Sequence, residues 1–227
     1  MSENLFIYHH LGLGDHFVCN GLVRYLLEKH RCQRLYLPTY NHNLQTVRDM
    51  YSDEPRITCL PVMSDSDVEH LPELQSTSRV IRVGFEQCRP DWDVSFYDSA
   101  NVSFSARWNR FKANRNLEKE KKLEEFIKVN REKKFVLVHD HSSIGKHPIN
   151  LNTDYRIIRI EKYTDSMMDW CGLIEKAEEV HCIDSSFIHL AQSVTVKRGI
   201  YHDTNRTGTS EIRFVLNDRW EHYAYPK

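Results

Sequence analysis

Short apolar runs alternate with helix-patterned segments along the chain, and this alternation constrains the fold more than any other feature. It begins with Leu5-Phe6-Ile7, then a glycine-punctuated turn from Tyr8 to His16, then Val18, Leu22, Tyr25 and Leu26 at i, i+4, i+7 and i+8, one face of a helix ending near His30. Arg34 to Leu37 predicts a second strand, stopped by Pro38. Leu44, Val47 and Tyr51 mark a short helix, Ile57 to Val62 a third strand, Asp65 to Leu74 a helix and Arg79 to Val83 a fourth strand. Strands separated by helices imply a parallel sheet with right-handed crossovers, hence a Rossmann-like domain.

The pattern changes between Gln87 and Asn116, where Trp92, Phe96, Tyr97, Phe104, Trp108 and Phe111 are interleaved with Arg107, Arg110, Lys112 and Arg115. Aromatics among cations can stack on the bases of single-stranded nucleic acid. A helical segment packing its aromatics on the sheet, with basic side chains in water, accounts for the same stretch; an acceptor-binding surface is a third reading. Leu117 to Lys134 is rich in Glu and Lys, with a narrow stripe of Leu123, Phe126 and Ile127, and predicts a solvated helix carrying the chain between two domains. We therefore expect domains at 1–130 and 131–227. The second series has strands at Phe135 to His139, Arg156 to Ile160, His181 to Ile183 and Arg198 to Tyr201. Its helices are marked by Trp170, Leu173, Ile174 and Ala177, and by Phe187, Leu190, Ala191 and Val194, with little sequence left for further strands.

Charge and composition narrow the partners. A formal net charge of -1 gives no global attraction to nucleic acid or an anionic membrane. No apolar run is long enough to span a bilayer, and Met1-Ser2-Glu3-Asn4 precedes a strand-length segment rather than a signal peptide, which reads as cytoplasmic. The 6 cysteines contain no CxxC pair, so reduced and mostly buried thiols are expected.

Two stretches concentrate chemistry. In the first turn, Gly12 and Gly14 permit close backbone approach, the helix start offers N–H groups, and Asp15 with His9, His10 and His16 adds proton-transfer groups. His10 or His16 could bind an acceptor, orient Asp15, replace it as base, or simply pack. In the second half, Ile183-Asp184-Ser185-Ser186-Phe187-Ile188-His189-Leu190-Ala191 runs from a buried strand through an Asp-Ser-Ser turn into a helix. Ser185 or Ser186 can cap that helix, whose N-terminus suits a phosphate, and His189 lies one turn further in.

The pair GLGD and IDSSFIHLA resembles glycosyltransferases of the two-domain GT-B fold, in particular the heptosyltransferase family. Gly14-Asp15 matches the family's G-D pair, and Asp184 with His189-Leu190-Ala191 matches its D-x-x-x-x-H-L-A-like segment; the family's glycine and threonine before the late histidine are replaced by Ser185, Ser186 and Phe187. The resemblance implies two Rossmann-like domains facing a central cleft, an acceptor and catalytic-base domain followed by a donor domain. It implies Asp15 as general base in an inverting transfer from a nucleotide-sugar to a glycan or lipid-linked hydroxyl, with no metal and no other cofactor. It further implies Ser143 and Lys146, in the loop after the strand at Phe135, as counterparts of the family's donor-phosphate residues. Heptose specificity is not carried over.

Three readings stand beside it. A sugar-nucleotide epimerase or hydrolase, or a non-catalytic nucleotide- or glycan-binding subunit, would use the same fold. His139, Asp140, His141 and His147 suggest a metal, although no third and fourth ligands fall at a recognisable spacing. The polar loop from Thr204 to Glu211, before a helix expected at Ile212 to Leu216, either covers the donor through Arg206 or is solvated.

Overall fold

A computed structural model of the chain describes residues 4–85, 89–130, 133–203 and 214–224. The chain divides into two compact units, Met1–Asn114 and Arg115–Lys227. Arg206 and the Thr204 to Glu211 loop lie outside the described residues, as does the start of the helix expected at Ile212.

In the first unit β1 (Asn4–Tyr8), β2 (Arg34–Tyr40), β3 (Ile57–Val62) and β4 (Arg79–Arg82) form one sheet in the order β3-β2-β1-β4, every pair parallel. Parallel neighbours need long crossovers, here supplied by α1 (Leu13–Lys29), α2 (Leu44–Met50), α3 (Asp65–Val68) and α4 (Pro72–Ser76). Interior strand β1 is covered on both faces, which explains an unbroken apolar run: Leu5, Phe6 and Ile7 are fully buried, each contributing about 1.5–3 kcal/mol.

Two elements differ from the sequence expectation. Strand β2 runs through Pro38 to Tyr40. Leu35 donates its N–H to Arg56, on the β3 side, so by alternation residue 38 turns its nitrogen toward β1, whose register with β2 has already ended at Phe6–Tyr36. A proline costs no ladder bond there. The helix expected from Asp65 to Leu74 is two helices, because Pro72 disfavours helical geometry at Leu71, which is extended at φ -66 and ψ 128.

The aromatic stretch forms α5 (Trp92–Ser99) and α6 (Ala106–Asn109), which pack on α1; Tyr97 donates its hydroxyl to the Val18 carbonyl at 2.7 Å. Arg107 does not face water as expected. It is buried, paired with buried Asp93, and its guanidinium lies 4.3 Å from the Trp108 ring centre. Arg110 meets Glu28 at 2.5 Å, Lys112 meets Asp53 at 2.6 Å and Arg115 meets Glu120 at 2.6 Å. The cations of this stretch are thus held by carboxylates rather than presented as a row for phosphates.

The second unit begins before the acidic-basic helix, not after it. Helix α7 (Leu117–Ile127) is capped by Asn116, which accepts from the Lys119 N–H at 3.1 Å, and ends at Lys128 in the left-handed region. Leu123 is buried, and Arg115 ties Glu120 to Glu175 on α8 (Cys171–Lys176), while Lys176 pairs with Glu124. These ties make α7 part of the second unit's own packing, so the division falls ahead of the boundary expected near Asn130.

That unit's sheet contains β5 (Phe135–His139), β8 (Arg156–Arg159), β9 (Glu179–Cys182), β10 (Gly199–Asp203) and β11 (Trp220–Ala224), in the order β11-β10-β9-β5-β8, again all parallel. A small hairpin of β6 (His141–Ser142) and β7 (Gly145–Lys146) follows β5, and α9 (Ser186–Ser193) follows β9. Strand β11 corrects the expectation that little sequence remained for further strands. Among the described residues no helix is long and apolar enough to cross a membrane, and the described cysteines are thiols, four of them buried.

The buried ion pair joins α5 to α6, and removing one partner strands the other charge in the interior. Asp93→Ala is expected to lower the unfolding free energy by about 3–5 kcal/mol in urea titration. A loss below about 1 kcal/mol would show the pair to be solvated.

Candidate functional site

In open parallel sheets, ligands bind beyond the carboxyl ends of the strands where the strand order reverses. In the first sheet β1 has β2 on one side and β4 on the other; in the second, β5 lies between β8 and β9. The switch points are therefore at the ends of β1 and β4, and of β5 and β9. Both motifs singled out in the sequence emerge there.

At the first, the chain leaves β1 at Tyr8 and enters α1 with Gly12 as N-cap, at φ -62 and ψ 144. Asp15 is the third helical residue, and a Cβ built on Gly12 would lie 2.5 Å from Asp15 Oδ2. The missing side chain is thus the space the carboxylate occupies, above a helix end whose dipole favours negative charge. Gly14 lies in the same half-buried first turn. His10 Nε2 donates to the Gly84 carbonyl at 3.1 Å, and its ring stacks on Phe85 and Phe96 at 4.7 and 5.6 Å. This bond leaves Nδ1 as the basic nitrogen of the neutral ring. Gly84 sits at φ 84 with Phe96 Cε1 2.2 Å from where a Cβ would be, so both conformation and space demand glycine.

His16 could be an acceptor ligand, an orienting group, a base or a packing group, and its burial favours packing. It is fully buried, edge-on to His9 at 4.5 Å and 77°, and neither of its ring nitrogens has a hydrogen-bond partner among the described residues. The helical turn that leaves Asp15 half-buried turns the next residue inward. His9 Nδ1 donates to the His10 carbonyl at 2.5 Å. Burial lowers the pKa of His9 to about 4 and that of His16 well below the ordinary value, so both are neutral packing groups at pH 7.

Around this turn the sheet edge gathers residues that sequence reasoning missed. Tyr8 and Tyr40 donate their hydroxyls to Asp65, at 3.4 and 3.0 Å. Burial first, then Asp65, raises the Tyr8 phenol to about 12, so it remains a donor throughout the physiological range. Their positions at strand ends were readable; their shared partner, on another βα turn, was not.

At the second switch point, His139 ends β5 and Ser185 occupies the N-cap of α9. The serine was expected to cap the helix. It gives α9 no side-chain cap bond; its Oγ lies 2.9 Å from His139 Nδ1 and donates to the Ile183 carbonyl at 3.3 Å. Because the hydroxyl proton goes to Ile183, His139 is the donor through Nδ1, and Nε2 keeps a lone pair suited to a ligand hydroxyl or N–H. His139 stacks on Phe187 at 5.1 Å and 13° and contacts the His141 ring at 4.3 Å, and burial lowers its pKa to about 3.

Asp184 and Ser186 are half-buried on the same turn. Ser143 and Lys146 are exposed on the hairpin, with Lys146 paired in register with His141, which places the hairpin beside His139. His189 is drawn away: it is buried, edge-on to Phe214 at 4.9 Å. Of the suggested metal set, His139, Asp140 and His141 lie together, but Asp140 pairs with Arg159 and His139 Nδ1 is engaged with Ser185. Among the described residues no group of three His, Cys, Asp or Glu side chains is arranged to hold a metal ion.

The buried histidines set a pH dependence. The unfolded chain protonates these rings near 6.5, whereas folding holds His9 and His139 neutral down to about 4 and 3. Below 6.5 the unfolded state binds more protons, so their contribution is fully present above that value and is lost as pH falls toward 4, by up to about 1.4 kcal/mol per pH unit for each ring. Urea titrations at pH 5 and pH 7 are expected to show lower stability at pH 5, with a shallower dependence in His9→Asn. Equal stability at the two values would contradict the buried neutral assignment.

No family model matches the sequence, and no curated protein matches it. Solved structures do. The crystal structure of the glycosyl transferase family 9 from Veillonella parvula DSM 2008 superposes at a TM-score of 0.62 and 9% identity, covering 98% of this chain and 86% of that one. The structure of E. coli ADP-heptose LPS heptosyltransferase II superposes at a TM-score of 0.58 and 10% identity, covering 97% of this chain and 90% of that one. Over nearly its whole length this chain has the Rossmann-like α/β fold of these glycosyltransferase structures.

Proposed function

We propose that this chain is an inverting glycosyltransferase that transfers a sugar from a nucleotide-sugar to a glycan or lipid-linked hydroxyl, with the acceptor on the first unit and the donor on the second. The observation that carries the reading is that each parallel sheet brings a chemically suited turn to its switch point, on a fold shared with glycosyltransferase structures. Asp15 accepts the acceptor proton as the hydroxyl oxygen bonds to the anomeric carbon; the bond from that carbon to the diphosphate breaks on the opposite face. A carboxylate is a weak base toward a ground-state hydroxyl and becomes an effective acceptor as the hydroxyl acidifies in the transition state. His10 contacts the acceptor beside it.

On the donor side, the first N–H groups of α9, the Ser186 hydroxyl and Lys146 receive the diphosphate, and Ser143 lies on the same hairpin. His139 Nε2 accepts from the nucleoside. Ser185 fixes the His139 tautomer, and Asp184 and His189 hold the turn and α9 in place. His16 acts behind Asp15 as packing.

Asp15→Asn is expected to reduce transfer by about 10²–10⁴-fold while leaving the thermal shift by nucleoside diphosphates intact. Near-normal turnover would remove Asp15 as base. Lys146→Ala is expected to weaken nucleoside diphosphate binding, and an unchanged Kd would take Lys146 out of the site. Nucleotide release without any acceptor would favour hydrolysis or epimerisation instead.

A further inference from the structure

The carboxyl edge of the first sheet carries a second constellation beside Asp15, drawn from the turns after β2 and β3 together with Tyr8 from the first turn itself. Asp65 opens α3 after β3, and it collects the hydroxyls of Tyr8, from the end of β1, and Tyr40, from the end of β2. Asp65 is exposed. A carboxylate offers about four acceptor positions, so two phenols leave it capacity for a ligand's hydroxyls. The Tyr40 ring stacks on exposed His42 at 5.4 Å and 19°, which gives the edge an aromatic face. Asn43, next to His42, donates to the Leu11 carbonyl of the first turn at 3.4 Å, which joins the two turns; burial and Asp65 raise the Tyr40 phenol, with a lesser part from the charge of Asp15.

The charges of this edge select among acceptors. Asp15, Asp65 and Glu69 are acidic, and the guanidinium of Arg82 is committed, forking onto Glu69 at 2.8 and 2.9 Å. Residues 1–111 contain one lysine, Lys29, at the far end of α1. A phosphate or carboxylate on the acceptor would meet the like charges of Asp15 and Asp65, and Arg82, whose guanidinium lies 5.5 Å from the Tyr8 ring centre, is already forked onto Glu69. A polyhydroxylated ring would find a carboxylate acceptor and an aromatic face for its C–H side.

Resting on the glycosyltransferase reading, we infer that Asp65, Tyr40 and His42 form an acceptor subsite for a sugar that carries no phosphate or carboxylate. Asp65 receives the sugar hydroxyls, and the Tyr40–His42 pair receives the ring face.

Saturation-transfer NMR on the full chain tests this with methyl β-glucopyranoside, methyl β-glucosaminide, glucuronate and glucose 6-phosphate as probes, alongside nucleoside diphosphate thermal shifts. The neutral and amino sugars are expected to bind in preference to the anionic ones. Asp65→Ala is expected to weaken them about tenfold, the loss of a hydrogen bond to a charged group. His42→Ala should weaken them too, and because the His42 side chain is exposed the melting temperature of that variant should hold. Preference for an anionic sugar, unchanged binding in both variants, or no sugar binding overturns the subsite. If the diphosphates still stabilise the chain in those cases, the donor reading stands and the subsite alone fails; sugar binding without diphosphate binding fails the transferase reading and leaves the subsite.

Discussion

A parallel strand pair cannot be closed by a tight turn, and the rest of this molecule depends on that constraint. Each strand must hand the chain to a crossover before the next can pair, so every βα turn collects at the carboxyl edge of its sheet. Because β1 and β5 each have neighbours on both sides, the strand order reverses at them, and their ends are where open parallel sheets bind ligands. The catalytic assignment needs no unusual backbone; it needs a glycine at Gly12 so that Asp15 can fold over the helix end.

The two edges have opposite chemistry. In the first unit the edge is acidic and phenolic, with Asp15, Asp65, Tyr8 and Tyr40 suited to hydroxyls and their protons. In the second it has a neutral histidine pinned by a serine, a helix N-terminus and a hairpin lysine, suited to a nucleotide and its phosphates. Burial produces part of this contrast, since it keeps His139 uncharged and able to accept a hydrogen bond where a protonated ring would donate.

Much of the strand pattern was legible because buried parallel strands read as unbroken apolar runs, as Leu5-Phe6-Ile7 and Phe135-Val136-Leu137-Val138 do. Pro38 misled because strand propensity ignores which neighbour a nitrogen faces. Strand β11, Trp220–Ala224, was missed because an edge strand can be exposed and polar, as Glu221, His222 and Tyr223 are. Arg107 was read as water-facing because a cation normally is, and its partner Asp93 lies on another helix. Within the site, Asp15 was visible from its motif. The partners Asp65 for Tyr8 and Ser185 for His139 are separated by 57 and 46 residues, distances at which local periodicity carries no information.

The central claim is a direct displacement in which Asp15 takes the acceptor proton while a nucleoside diphosphate leaves. Proton NMR of the reaction with nucleotide-sugars and a neutral glycan acceptor reads both halves at once, since the anomeric coupling constant reports configuration and the nucleotide signals report release. The account predicts stoichiometric nucleoside diphosphate and a glycoside of inverted configuration. A retained anomer, or transfer with no nucleoside diphosphate formed, would contradict it.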